Sequence, residues 1–167
     1  MAAISAHGPR TGTIEAYARA LETGAEYVEF DIRRTADGEL AAFHDPRTRQ
    51  GDALAAISYP QLCELAGYPV PRVADLMTLI AGKATGHLDL KDTGGEDTVV
   101  EMALDILGPG NFVVTTLEDG SVAAIKARFP EVPAALSLGR DLNGVPRPGR
   151  ADPVPPGRDQ DHGLDRR

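Results

Sequence analysis

At 167 residues and 17.7 kDa the chain is long enough for one domain with its own core. Apolar residues make up 42% and charged residues 25%, which excludes full-length disorder, a collagen and a coiled coil. A formal charge of −8 excludes a surface built to displace counterions from nucleic acid or from an anionic membrane.

In chain order, short runs rich in Val, Ile, Phe and Ala alternate with helical periodicity, the pattern of an α/β protein with parallel strands. Ala2–Ala6 reads as a first strand. Thr13–Glu22 places Ile14, Tyr17, Ala18 and Leu21 at helical spacing and stops at Gly24. Tyr27–Ile32 reads as a second strand. After the turn signal Asp37-Gly38, Leu40–His44 reads as a third. Short helices are predicted from Ser58 and over Val73–Ile80, and a fourth strand over His87–Leu90. A helix over Glu96–Leu107, a strand over Phe112–Leu117, a helix over Asp119–Phe129 and a sixth strand over Pro133–Leu138 complete the body. Cys63 is the single cysteine, so no internal disulfide or thiolate cluster forms, and its neighbours Leu62 and Leu65 predict a buried thiol.

Composition changes sharply near Arg140. Residues 141–167 hold five Pro, four Gly, five Asp and five Arg, too few apolar groups to offset chain entropy, so residues 1–140 read as the folded unit and 141–167 as a disordered tail. The tail's acids and bases cancel, leaving the whole −8 in the folded part. No apolar run reaches the ~18 residues of a membrane span, and the N-terminus lacks signal-peptide features, so a cytoplasmic location without a transmembrane segment is expected.

The candidate chemistry lies on the second and fourth strands. Side chains alternate between faces of a strand, so Tyr27, Glu29 and Asp31 share one face and Val28, Phe30 and Ile32 the other. Parallel strands covered by helices are buried on both faces, and two carboxylates there call for a partner, commonly a hard cation. The fourth strand repeats the arrangement with His87, Asp89 and Lys91; the lysine serves either as a plain ion-pair partner or as a site for phosphate charge. His7 and His44 end the first and third strands, at the sheet edge where α/β proteins build their sites, which makes them candidates for acid–base catalysis.

Ile4-Ser5-Ala6-His7-Gly8, Gly24-Ala25-Glu26-Tyr27-Val28-Glu29-Phe30-Asp31, Thr35-Ala36-Asp37-Gly38 and Phe43-His44-Asp45 together resemble the N-terminal half of glycerophosphodiester phosphodiesterases. The likeness continues through Val70-Pro71-Arg72-Val73, His87-Leu88-Asp89-Leu90-Lys91 and Val113-Val114-Thr115-Thr116-Leu117 as far as Gly139. It implies a TIM (β/α)8-type barrel that hydrolyses a small-molecule glycerophosphodiester to glycerol phosphate and an alcohol, with a bound Ca²⁺ or Mg²⁺. Carried over residue by residue, it implies His7 and His44 as catalytic acid and base, Glu29, Asp31 and Asp89 as metal carboxylates, and Lys91 as a phosphate contact. Asp89 stands where most of the family has Glu. The loop after His7 is shorter than the family's, so the arginine that usually follows the histidine is missing unless Arg10 replaces it as a phosphate contact; the alternative reading of Arg10 is an exposed loop residue.

A full barrel of this type takes ~250 residues. The likeness ends after the sixth strand, so the sequence predicts an incomplete barrel with about six of eight strands, and possible self-association through its open edge. Two alternatives are an inactive fragment that binds a phosphodiester or a partner chain and, more weakly, a sphingomyelinase D-like phospholipase, of which Asp89 is only a faint hint.

Overall fold

A computed structural model of the protein describes the backbone of residues 3–5 and all of residues 12–137. His7, Arg10, Leu138 and the segment 141–167 lie outside the described residues. The chain forms β1 (Ala3–Ser5), α1 (Ile14–Glu22), β2 (Tyr27–Arg34), β3 (Leu40–Ala42), α2 (Tyr59–Ala66), α3 (Val73–Ile80), β4 (Thr85–Leu90), α4 (Glu96–Ile106), β5 (Phe112–Thr116), α5 (Asp119–Arg128) and β6 (Ala134–Leu136). Among the described residues, no helix is long and apolar enough to cross a membrane.

The helices begin and end where local chemistry dictates. Thr13 caps α1, its hydroxyl accepting from the Ala16 N–H at 3.3 Å. At the start of α2 the Gln61 side chain accepts from the Ser58 N–H at 2.9 Å, and the helix stops at Gly67, whose φ of 77° is a left-handed conformation that glycine adopts without strain.

Five strands run parallel in the order β1-β2-β4-β5-β6. All six expected strands are present, but β3 departs from the parallel pattern: it pairs antiparallel with the end of β2, Ile32 opposite Ala42 and Arg34 opposite Leu40. The physical reason is the short turn at residues 35–39, where Gly38 has φ 86° and the Thr35 N–H bonds the Glu39 carbonyl. Adjacent strands joined this tightly can only fold back as a hairpin, because a parallel crossover needs a dozen or more residues. The predicted third strand also stops short, at Ala42 rather than His44.

Val28, Phe30 and Ile32 of β2, Leu88 and Leu90 of β4, and Phe112 and Val114 of β5 are buried against Tyr17, Leu76, Met77, Ile80, Val100 and Ile125 of the helices. The layers lie so close at Gly86 that a Cβ there would sit 3.0 Å from a Leu107 methyl. The opposite face of the same strands carries Glu29, Asp31, His87, Asp89 and Thr115. A second, smaller core of Ala41, Leu54, Leu62 and Val70 lies in the excursion between β3 and α3. That excursion is closed by Arg72, whose guanidinium stacks 4.5 Å over the Tyr59 ring and pairs with Glu39 at 3.0 Å. Cys63 lies on its margin and is only partly buried, not the fully buried thiol expected from its leucine neighbours.

Candidate metal and phosphate site

Register assembles the site. Parallel pairing puts Glu29 of β2 opposite His87 of β4, Asp31 opposite Asp89, and Asp89 opposite Thr115 of β5. Side chains at matched register on one face of neighbouring strands converge, and one carboxylate oxygen from each of Glu29, Asp31 and Asp89 lies within 4.8 Å of the others. Asp31 and Asp89 are buried and Glu29 is half-buried. Three hard oxygen donors at this spacing suit a divalent cation: Ca²⁺ bonds oxygen at about 2.3–2.6 Å, so ligands on opposite sides of it stand up to about 5 Å apart.

Lys91 follows β4 directly and turns its ammonium back between two of these carboxylates, 2.6 Å from Asp89 Oδ2 and 2.9 Å from Asp31 Oδ1. Burial alone would lower the lysine's pKa, but the hydrogen bonds and charges of Asp89 and Asp31 outweigh it and hold the pKa above the ordinary value. The ion-pair reading of Lys91 is thus realised, with Asp31 as a further partner. The carboxylate field also reaches through the sheet. Tyr17, packed edge-on against Phe30 at 6.4 Å, has its phenol pKa pushed far up, first by burial and then by Glu29 and Asp31.

The far oxygen of Asp89 is held from β5 and β6. Thr115 Oγ1 donates to Asp89 Oδ1 at 3.0 Å, and Ser137 Oγ lies 3.4 Å from the same oxygen. Because the Thr115 hydroxyl has one proton and spends it on Asp89, it accepts from His87 Nε2, 2.9 Å away. Thr115, Ser137 and this role of His87 were not singled out from sequence. Alternation places Thr115 and His87 on a definite face of their own strands, but only the pairing of β4 with β5 brings the hydroxyl to Asp89.

His44 sits just beyond β3. The Phe43 N–H bonds the Asp31 carbonyl at 3.0 Å and Arg33 Nε donates to the His44 carbonyl at 2.8 Å, so the backbone that carries His44 is tied directly to the strand that carries the carboxylates. Arg33 also pairs with Asp92, beyond β4, at 2.6 Å. The His44 ring is half-exposed, with Nδ1 2.8 Å from Asp45 Oδ1. Arg33 and Asp92 are a further pair that the sequence reading, which ended the second strand at Ile32, did not single out.

The glycerophosphoryl diester phosphodiesterase family matches residues 5–126, a stretch that contains every one of these groups except Ser137. No curated protein matches the sequence significantly. Solved structures share the fold. A glycerophosphodiester phosphodiesterase from Parabacteroides distasonis is 19% identical with a TM-score of 0.66, covering 74% of this chain and 57% of that one. One from Agrobacterium tumefaciens is 20% identical with a TM-score of 0.66, covering 79% and 64%. An Oleispira antarctica phosphodiesterase, solved in complex with the product sn-glycerol-3-phosphate, is 17% identical with a TM-score of 0.66, covering 83% and 66%. The chain therefore spans less than two-thirds of each of these structures. The described strands and helices correspond to part of a TIM-barrel-type α/β fold, and the match over residues 5–126 shows that the chain belongs to the glycerophosphoryl diester phosphodiesterase family.

Proposed function

We propose that the chain is a metal-dependent phosphodiesterase that cleaves glycerophosphodiesters to glycerol phosphate and an alcohol. The observation that carries this reading is the convergence of Glu29, Asp31 and Asp89 beside the Lys91 ammonium on one face of two neighbouring parallel strands. The Oleispira relative, solved with sn-glycerol-3-phosphate as its product, supports the same substrate class. Glu29, Asp31 and Asp89 would hold Ca²⁺ or Mg²⁺. The cation would polarise a phosphoryl oxygen as a Lewis acid.

The chain's own groups divide the remaining work. Lys91 offsets negative charge on the phosphoryl oxygens, and Arg10 is assigned to the same anion. His44 and His7 serve as acid and base: one takes the proton of the attacking hydroxyl as the new phosphorus–oxygen bond forms, and the other protonates the alcohol as its bond to phosphorus breaks. With Nδ1–H of His44 donating to Asp45, Nε2 is the nitrogen that exchanges this proton. The alternative reading is a chain that binds the phosphodiester without turnover.

Release of glycerol phosphate from glycerophosphocholine, measured on the purified chain with Ca²⁺ and with Mg²⁺, separates the two. Turnover that falls by roughly 10²- to 10⁴-fold in His7→Ala and in His44→Ala supports the catalytic reading. Binding of the diester without release of product supports the second. Full turnover in both histidine variants overturns the assignment of the acid and base.

A further inference from the structure

Lys91 engages two of the three residues that would hold the cation. Its ammonium touches Asp89 Oδ2 at 2.6 Å and Asp31 Oδ1 at 2.9 Å, and these two residues belong to the set whose oxygens converge within 4.8 Å. Asp89 has little room to accommodate both positive charges, because its other oxygen is already taken up by the hydroxyls of Thr115 and Ser137. A dication bonded to Asp31 and Asp89 would lie next to a like-charged ammonium in a partly desolvated pocket, where Coulomb repulsion is weakly screened. The ammonium is also tethered two residues from Asp89, so no diffusional cost opposes its return.

We infer that Lys91 is a built-in competitor of the cation: it neutralises Asp31 and Asp89 in the metal-free protein and is driven off them when the cation enters. The inference rests on the reading of Glu29, Asp31 and Asp89 as cation ligands. Cation entry then does two things at once. It loads the site, and it releases an ammonium on a flexible four-carbon stem, free to reach an anionic phosphate. Metal affinity is correspondingly lower than three carboxylates alone would provide, and lysine reactivity reports metal occupancy.

Two measurements test this on the full chain, with Ca²⁺ or Mg²⁺ alone as the probe. In calorimetry, Lys91→Met, which keeps the apolar stem and loses the charge, should bind the cation at least about tenfold more tightly than wild type. Equal or weaker binding by Lys91→Met overturns the competition while leaving the cation site standing, whereas absence of binding in both proteins overturns the cation reading and the competition together. The second measurement uses the wild-type protein and so holds even if Lys91→Met does not fold. The chain has three lysines, Lys83, Lys91 and Lys126, so acylation followed by mass spectrometry reads each one separately. Saturating Ca²⁺ should accelerate acylation of Lys91 several-fold against the exposed Lys83 and Lys126. Unchanged or slower labelling of Lys91 at a cation concentration where calorimetry shows occupancy overturns the inference.

Discussion

The two faces of β2 and β4 are made by alternate residues of the same strands, yet they follow different physics. On the helix face Val28, Phe30, Ile32, Leu88 and Leu90 are between 0% and 4% exposed and interlock with four helices. Their contribution is apolar area removed from water, roughly additive and indifferent to which apolar partner supplies the contact. On the other face Glu29, Asp31, Asp89 and Lys91 are held by charge and hydrogen-bond geometry, where each group is tolerable only because a particular neighbour stands in reach. One face thus carries stability and the other carries the candidate site, and a shift of one residue in register would exchange them.

Neighbouring residues sharpen this contrast. Phe30→Ala should produce the largest loss of stability, about 3–5 kcal/mol in urea unfolding, because it removes a ring packed against Tyr17 and leaves a cavity beneath β2. Asp31→Asn, one residue on, should weaken Ca²⁺ or Mg²⁺ binding by at least about tenfold in calorimetry while costing far less stability than Phe30→Ala. Cation affinity unaltered in Asp31→Asn, or a stability loss in it as large as that of Phe30→Ala, would break the division between the faces.

The smallest expected effect lies away from both faces, where α4 meets α5. Ser121, buried, donates to Glu96 Oε1 at 2.5 Å. Burial raises the Glu96 pKa, but the Ser121 hydroxyl and the backbone N–H groups at the start of α4 lower it further, so the net shift is downward. A carboxyl with a depressed folded-state pKa adds stability that is fully present above its unfolded value, near about 4.3, and is lost as pH falls through the folded value. Ser121→Ala should therefore be less stable than wild type at pH 7, and the gap should shrink below pH 4. A gap that stays constant across that range in urea titrations would remove Glu96 from the account.

The alternation in Tyr27–Ile32 and His87–Lys91 was legible because period-two patterning is a local property, and it sufficed to nominate Glu29, Asp31, Asp89 and Lys91 for one face. The Asp37-Gly38 signal located a turn, and the resemblance located His44. What could not be read locally was which residues stand opposite one another. Thr115 becomes a partner of Asp89 only through the β4–β5 register, and Ser137 comes within reach of the same oxygen only where β6 ends beside β5. Arg33 gains its role only when β3 folds back and brings the His44 carbonyl to it. The partial exposure of Cys63 likewise reflects the small core of the excursion, which its leucine neighbours do not reveal.

By itself, then, the sequence determined the element order and the apolar and polar faces of the central strands, since each depends on propensity and periodicity over a few residues, while the grouping of Glu29, Asp31 and Asp89 came from the family resemblance. Tertiary structure alone decided the antiparallel course of β3, the clamp of Thr115 and Ser137 on Asp89, and the place of the Lys91 ammonium between Asp31 and Asp89. Those depend on hydrogen-bond register and charge proximity between segments distant in the chain, and pairing energies of that kind leave no periodic trace in the order of residues.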